Sequence, residues 1–87
     1  MHYIQYILIH LIATIRYDLL QESHVTLQVY DLNGRQIETL INSFQSAGVY
    51  SVNWHAEHLS NGAYFIKMKT ESYTKIKKLI TEKKYEQ

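Results

Sequence analysis

Two imidazoles and a carboxylate fall within the four residues HAEH, His55 to His58, and His24, Ser23 and Ser60 could in principle join them. Zinc is the first chemistry such a set suggests, because imidazole and carboxylate are among its ordinary ligands. Two ligands three residues apart share a face only on a helix, and a third or fourth ligand would have to come from elsewhere, with His24 the nearest choice by type. A hydrolase triad can also be written from serine, histidine and acid. Neither Ser23 nor Ser60 sits in a nucleophile-elbow sequence, however, and so small a domain leaves little room for a substrate pocket. HAEH is therefore read as a polar loop, with no metal, no cofactor and no catalytic residue.

Asn33-Gly34, in YDLNGRQI, raises the second chemical question. A phosphate loop needs several glycines followed by Lys-Ser/Thr at a helix start, and a dinucleotide loop needs three spaced glycines. A calcium loop needs more alternating acids than Asp31 and Asn33 supply, and an acid at its closing position. What remains is a backbone reversal, since Asn and Gly tolerate the positive φ of a tight hairpin. Gly48 and Gly62 each precede an apolar run and are read in the same way, as backbone devices. Trp54, at the end of an alternating run, is read as a core anchor rather than a ligand platform.

The elements that must hold these residues follow from hydrophobic spacing. Ala13, Ile15, Tyr17 and Leu19 alternate with polar residues, as do Val25, Leu27 and Val29, then Tyr50, Val52 and Trp54, then Tyr64, Ile66 and Met68. A period of two means half-buried strands. Between Ile37 and Ile41 the pattern is less regular, with Ile37 and Thr39 on one side and Glu38 and Leu40 on the other. NSFQSAG after it reads as a polar break, and Tyr73 to Thr81 as a lysine-rich mixed strand. Short runs recurring about every 10 to 12 residues between turn signals predict an all-β sandwich or barrel.

Composition narrows the classes further. The chain has 87 residues, no cysteine, no proline and a formal charge of +1. One domain without disulfides or thiolate metal sites is implied. So small a charge gives no field for nucleic acid, and Lys75, Lys77, Lys78, Lys83 and Lys84 read as a solvated edge with no aromatic-lined groove beside them. No small-molecule substrate is suggested. Residues 1–13 form an apolar lead-in, read as a strand, a weak signal-like segment or a replaced linker. They are too short for a membrane helix, which needs about 20 residues. Residues 14–83 form the sandwich and 84–87 a tail.

In order and spacing, I-R-Y-D-L, V-Y-D-L-N-G-R, S-A-G before the Tyr50 strand, Trp54, L-x-x-G-x-Y from Leu59 to Tyr64 and the closing K-K-L-I resemble a known family. It is the C-terminal sorting domain of proteins exported by the type IX (Por) secretion system, related to the immunoglobulin-like domain of flagellar hook-capping proteins. The resemblance implies a small immunoglobulin-like or fibronectin III-like antiparallel β-sandwich of about six to seven strands. It implies a non-catalytic address label that directs a cargo protein through the periplasm to the cell surface or medium. The partners implied are a secretion-machinery receptor, an outer-membrane translocon and a sortase-like processing enzyme. By position, Gly62, Tyr64 and Lys67 match one family motif, and Lys77, Lys78, Leu79, Ile80 and Lys83 the C-terminal one. The alternative reading is a structural assembly module of the hook-capping or adhesin kind. Family members usually have an Asn-Pro-rich lead-in and an upstream cargo, so the chain is read as a fragment, a mis-assigned start or a remnant of such a protein.

Overall fold

The computed structural model describes residues 4–9 as backbone and residues 12–56, 59 and 62–81 in full. Seven strands run through the described residues: β1 (Ile4–Ile9), β2 (Ile12–Leu19), β3 (Ser23–Tyr30), β4 (Gln36–Gln45), β5 (Gly48–His55), β6 (Gly62–Lys69) and β7 (Thr74–Thr81). They form a three-stranded sheet in the order β1-β2-β5 and a four-stranded sheet in the order β4-β3-β6-β7, with every pairing antiparallel. The chain changes sheet between β2 and β3, between β4 and β5, and between β5 and β6. This is an all-β sandwich, one of the two forms that the alternating sequence predicts, with the antiparallel two-sheet build that the family resemblance implies.

Alternation becomes packing because opposite residues of an antiparallel pair share a face. Ile15 lies across from Val52, Ala13 from Trp54, Leu27 from Met68 and Val29 from Ile66. All but the edge residue Val52 are buried, and together with Tyr17, Leu19, Val25 and Leu79 they form the layer between the sheets. Trp54 and Tyr17 are the largest fully buried side chains. Removing a buried aromatic of this size costs about 3–5 kcal/mol.

Both large aromatics also carry a polar end across the gap. The indole N–H of Trp54 donates to Glu38 Oε1 on β4 at 2.8 Å, and the Tyr17 phenol donates to the Gln45 side-chain oxygen, also on β4. The Tyr17 ring stacks on Tyr50 with centroids 5.3 Å apart. Burial raises the Tyr17 phenol above its ordinary value of 10.0, against the opposing hydrogen bond to Gln45, so the protonated donor form is the one the core holds.

β4 departs from the sequence reading in two ways. The strand continues through Asn42–Gln45, where a polar break was expected, because Ser43 and Gln45 pair in register with Val25 and Ser23. Its irregular pattern reflects two register shifts against β3, which leave Leu40 and Ile37 without direct partners. Each bulge shifts the alternation by one residue, so Glu38 comes opposite Val29 and faces inward, where Trp54 meets it.

The Asn33-Gly34 reversal lies within the five residues, Asp31 to Arg35, that join β3 to β4, with Leu32 to Gly34 at its tip. Gly34 N donates to Asp31 O, Asp31 N donates to Arg35 O, and Gly34 has φ of 84°. A left-handed glycine closing such a loop matches the twist of the flanking strands. Asp31 organises the turn. Its Oδ1 accepts from the backbone N–H groups of Asn33 and Arg35, both at 2.9 Å, and its Oδ2 from Arg35 Nε at 2.9 Å. The Arg35 backbone N–H above all holds the Asp31 carboxyl below its ordinary value of 3.8, outweighing the opposing effect of desolvation.

Three tests follow from these contacts. A double-mutant cycle between Trp54→Phe and Glu38→Leu, read by urea unfolding, should give a coupling of about 0.5–3 kcal/mol; strict additivity would show that the cross-sheet bond adds nothing. Gly34→Ala should cost about 1–2 kcal/mol at every pH, since no atom obstructs a new Cβ there and the penalty is the left-handed backbone alone. Asp31→Asn should behave differently. Because the folded carboxyl titrates lower than the unfolded one, its stabilisation is complete above pH of about 4–5 and disappears as pH falls through the folded value. The wild-type advantage in melting temperature should therefore be constant near neutrality and shrink in acid; an advantage unchanged by acid would refute the assignment.

Candidate functional site

The residues singled out near the end of the chain belong to the β6–β7 hairpin, and the pairing register sorts them onto two faces. Tyr64 lies opposite Leu79 and Ile66 opposite Lys77, on the side turned toward the other sheet. Ala63 lies opposite Ile80, Phe65 opposite Lys78 and Lys67 opposite Ile76, on the outer side. Tyr64 and Leu79 are buried in the core, so neither presents a surface to a partner. Lys78 and Ile80 are exposed and Lys67 is half-buried, so the outer side carries lysines interleaved with apolar side chains. Lys77 shares the inward parity of Ile66 but is exposed, as it stands on the last strand of its sheet. Gly62 opens β6 opposite Thr81, whose hydroxyl donates to the Gly62 carbonyl at 3.3 Å. Lys83 lies outside the described residues.

Local chemistry explains why this hairpin is firmly placed. Thr70 N donates to Tyr73 O at 2.9 Å, and Thr70 Oγ1 accepts from Ser72 N and Tyr73 N at 3.1 and 3.2 Å, which closes the turn. Glu71 then ties the turn to the start of β3. Its carboxylate accepts from His24 N at 3.1 Å and its own N–H donates to Ser23 Oγ at 3.0 Å. The outer face is fastened to β3 as well, where Lys67 Nζ sits 5.7 Å from the centre of the Tyr30 ring.

Sequence reasoning did not single out Phe65, Ile76 or Tyr30, which line a shallow open groove on this outer face with Leu32, Asp31 and Lys67. The signal was present. Phe65 breaks the polar alternation between Tyr64 and Ile66, and Ile76 stands among lysines with its side chain 62% exposed.

The other reserved residues lie elsewhere. Asn33 and Gly34 form the β3–β4 turn, Gly48 opens β5, and Trp54 is in the core. Ser23 Oγ is occupied as an acceptor for Glu71 N and a donor to His24 O. His24 Nε2 lies 2.6 Å from Asn42 Oδ1, and His55 is exposed at the end of β5. Glu57, His58 and Ser60 lie outside the described residues, among which no three histidines or acids gather as a metal site.

The outer face of the β6–β7 hairpin thus sets apolar side chains and lysines on one surface, an arrangement suited to recognition by a partner. The family model described as the secretion system C-terminal sorting domain matches residues 10–82, which takes in β2 through β7. No curated protein matches the sequence. The chain thus belongs to the secretion system C-terminal sorting domain family, non-catalytic domains that engage the type IX secretion machinery and direct the export of a cargo protein.

Proposed function

We propose that the export machinery reads this domain on the outer face of the β6–β7 hairpin, through Lys67, Lys78 and Ile80, with Lys77 at the margin of the same hairpin. The observation that supports this reading is the register of β6 on β7, which sets Phe65 beside Lys78 and Lys67 beside Ile76 on one exposed surface. Apolar side chains would supply the contact area, and the ammonium groups would steer an acidic partner surface and set its orientation. Tyr64 and Leu79 serve the same signal from behind, by keeping the two strands packed on the core. Gly62 and Thr81 pin the open end of the hairpin.

The partners in this reading are a receptor met in the periplasm during transit and an outer-membrane translocon. A sortase-like enzyme then processes the label once the cargo is at the surface or in the medium. The binding is non-covalent, so the domain's own residues carry no bond chemistry in it.

A reporter with the whole chain fused behind it tests this in a type IX-competent bacterium. The fusion keeps β1, because that strand pairs along most of β2. The wild-type fusion should reach the medium or cell surface. Lys67→Glu with Lys78→Glu should cut export about tenfold or more while leaving the domain folded, since the exposed Lys78 change costs about 0.5 kcal/mol or less and loss of the Lys67–Tyr30 contact about 0.5–1 kcal/mol. Leu79→Asp should abolish export together with folding. Retention of the wild-type fusion in the periplasm would overturn the sorting reading for this chain; normal export of the folded double-lysine variant would overturn the site.

A further inference from the structure

Leu32 and Ile76 are 64% and 62% exposed and lie far apart in the chain, yet both line the same groove of about 330 Å³ on the outer face. The register explains how they meet. Tyr30 stands across from Phe65 on β3 and β6, and Lys67 across from Ile76 on β6 and β7, so the groove crosses three strands. Leu32 reaches it from the tip of the β3–β4 turn. That turn is closed by the three hydrogen bonds to the Asp31 carboxylate, so the wall carrying Leu32 is in place before anything binds. The lining is mainly apolar, and the volume falls at the small end of the range of about 300–1,000 Å³ for ligand pockets.

Charge around the groove has one sign. The residues of β3, β4, β6 and β7 that the pairing places on this face include Lys67, Lys69 and Lys78 and no Asp or Glu. Asp31 borders the groove, but its carboxylate is taken up by Arg35 and two backbone N–H groups. Among the described residues no ion pair holds any of the three lysines. Polar groups beside the groove bond one another instead. The Tyr30 hydroxyl donates to Gln28 Oε1 at 2.8 Å, and Gln28 Nε2 donates to Gln36 Oε1 at 3.2 Å.

We infer that this groove is the anchor point of the recognised face, and that its occupant is a large apolar side chain carried by an extended, acidic segment of the partner protein. The inference rests on the reading of the outer face as the surface the export machinery recognises, and it adds what that partner must present. Two features select the occupant. An apolar floor between Tyr30 and Phe65, walled by Leu32 and Ile76, gains from burying an apolar side chain, and the lysines at its rim complement carboxylates on either side of it. A sugar fits less well, because its hydroxyls need hydrogen-bond partners that the neighbouring amides already spend on each other. A bilayer seats projecting side chains, whereas a groove receives one.

Three capped peptides, Asp-Glu-Phe-Glu-Asp and its Trp- and Leu-centred forms, test this by NMR titration of the full chain up to about 5 mM peptide. At least one should bind with a Kd of about 1 mM or tighter, shifting the amides of Leu32, Phe65 and Ile76. A Ser-centred peptide should bind about tenfold more weakly or worse, as should every peptide on Ile76→Asp or Leu32→Ser, both exposed positions at which the fold is kept. Raising salt from about 0.05 to about 0.5 M should weaken binding, because the flanking carboxylates meet solvated lysines. Failure of all three peptides to bind would overturn the inference. So would equal binding of the Ser-centred peptide, or saturation of the same amides by heparin or anionic lipid vesicles in place of the peptides. The export assay keeps the two readings apart: if Lys67→Glu with Lys78→Glu blocks export while no peptide binds, the face stands and the groove falls.

Discussion

Trp54 reaches from one sheet into the space beneath the other and donates its indole N–H to Glu38, and the rest of the molecule is arranged around that contact. A carboxylate facing the interior of a small protein is costly unless something hydrogen-bonds to it. Here a buried indole fills the layer with apolar surface and satisfies the acid at the same time. Tyr17, on β2, likewise fills the layer and donates its phenol across the gap to Gln45 farther along β4, with its ring on Tyr50. β4 receives both bonds, so this bulged edge strand is tied to the opposite sheet as well as to its neighbour β3.

An 87-residue chain without disulfides has little surplus stability, and its sorting function requires a face that stays in one shape. The structure meets both demands with the same devices. Asp31 closes one hairpin with three hydrogen bonds, and Thr70 and Glu71 close another and fasten it to β3. Interleaved lysines and apolar side chains on β6 and β7 are then held by a rigid backbone, so a receptor need not order them on binding. A folded label of this kind carries its information in the arrangement of an exterior.

The four-stranded sheet protects both of its edges. Bulges on β4 and lysines on β7 discourage indiscriminate strand pairing at the two edges of the four-stranded sheet.

Much of the architecture was determined by the sequence alone. Ala13, Ile15, Tyr17 and Leu19, and likewise Val25, Leu27 and Val29, alternate with a strictness that only half-buried strands require, and every one of them is buried in the fold. Family membership was equally legible, since the order of turns and apolar runs is itself linear. Three things were decided only in three dimensions. The inward turn of Glu38 depends on two bulges, which come from pairing with β3 and have no local signature. The division of Tyr64 and Leu79 from Lys67, Lys78 and Ile80 depends on the register of β6 on β7, and a run of residues in one strand does not disclose its partner. Whether an edge is open depends on which strands end a sheet, a property of topology. Periodicity is local and survives in the chain as written; register, bulges and edges arise from contacts between residues far apart in it, and so they appear only once the sheets are assembled.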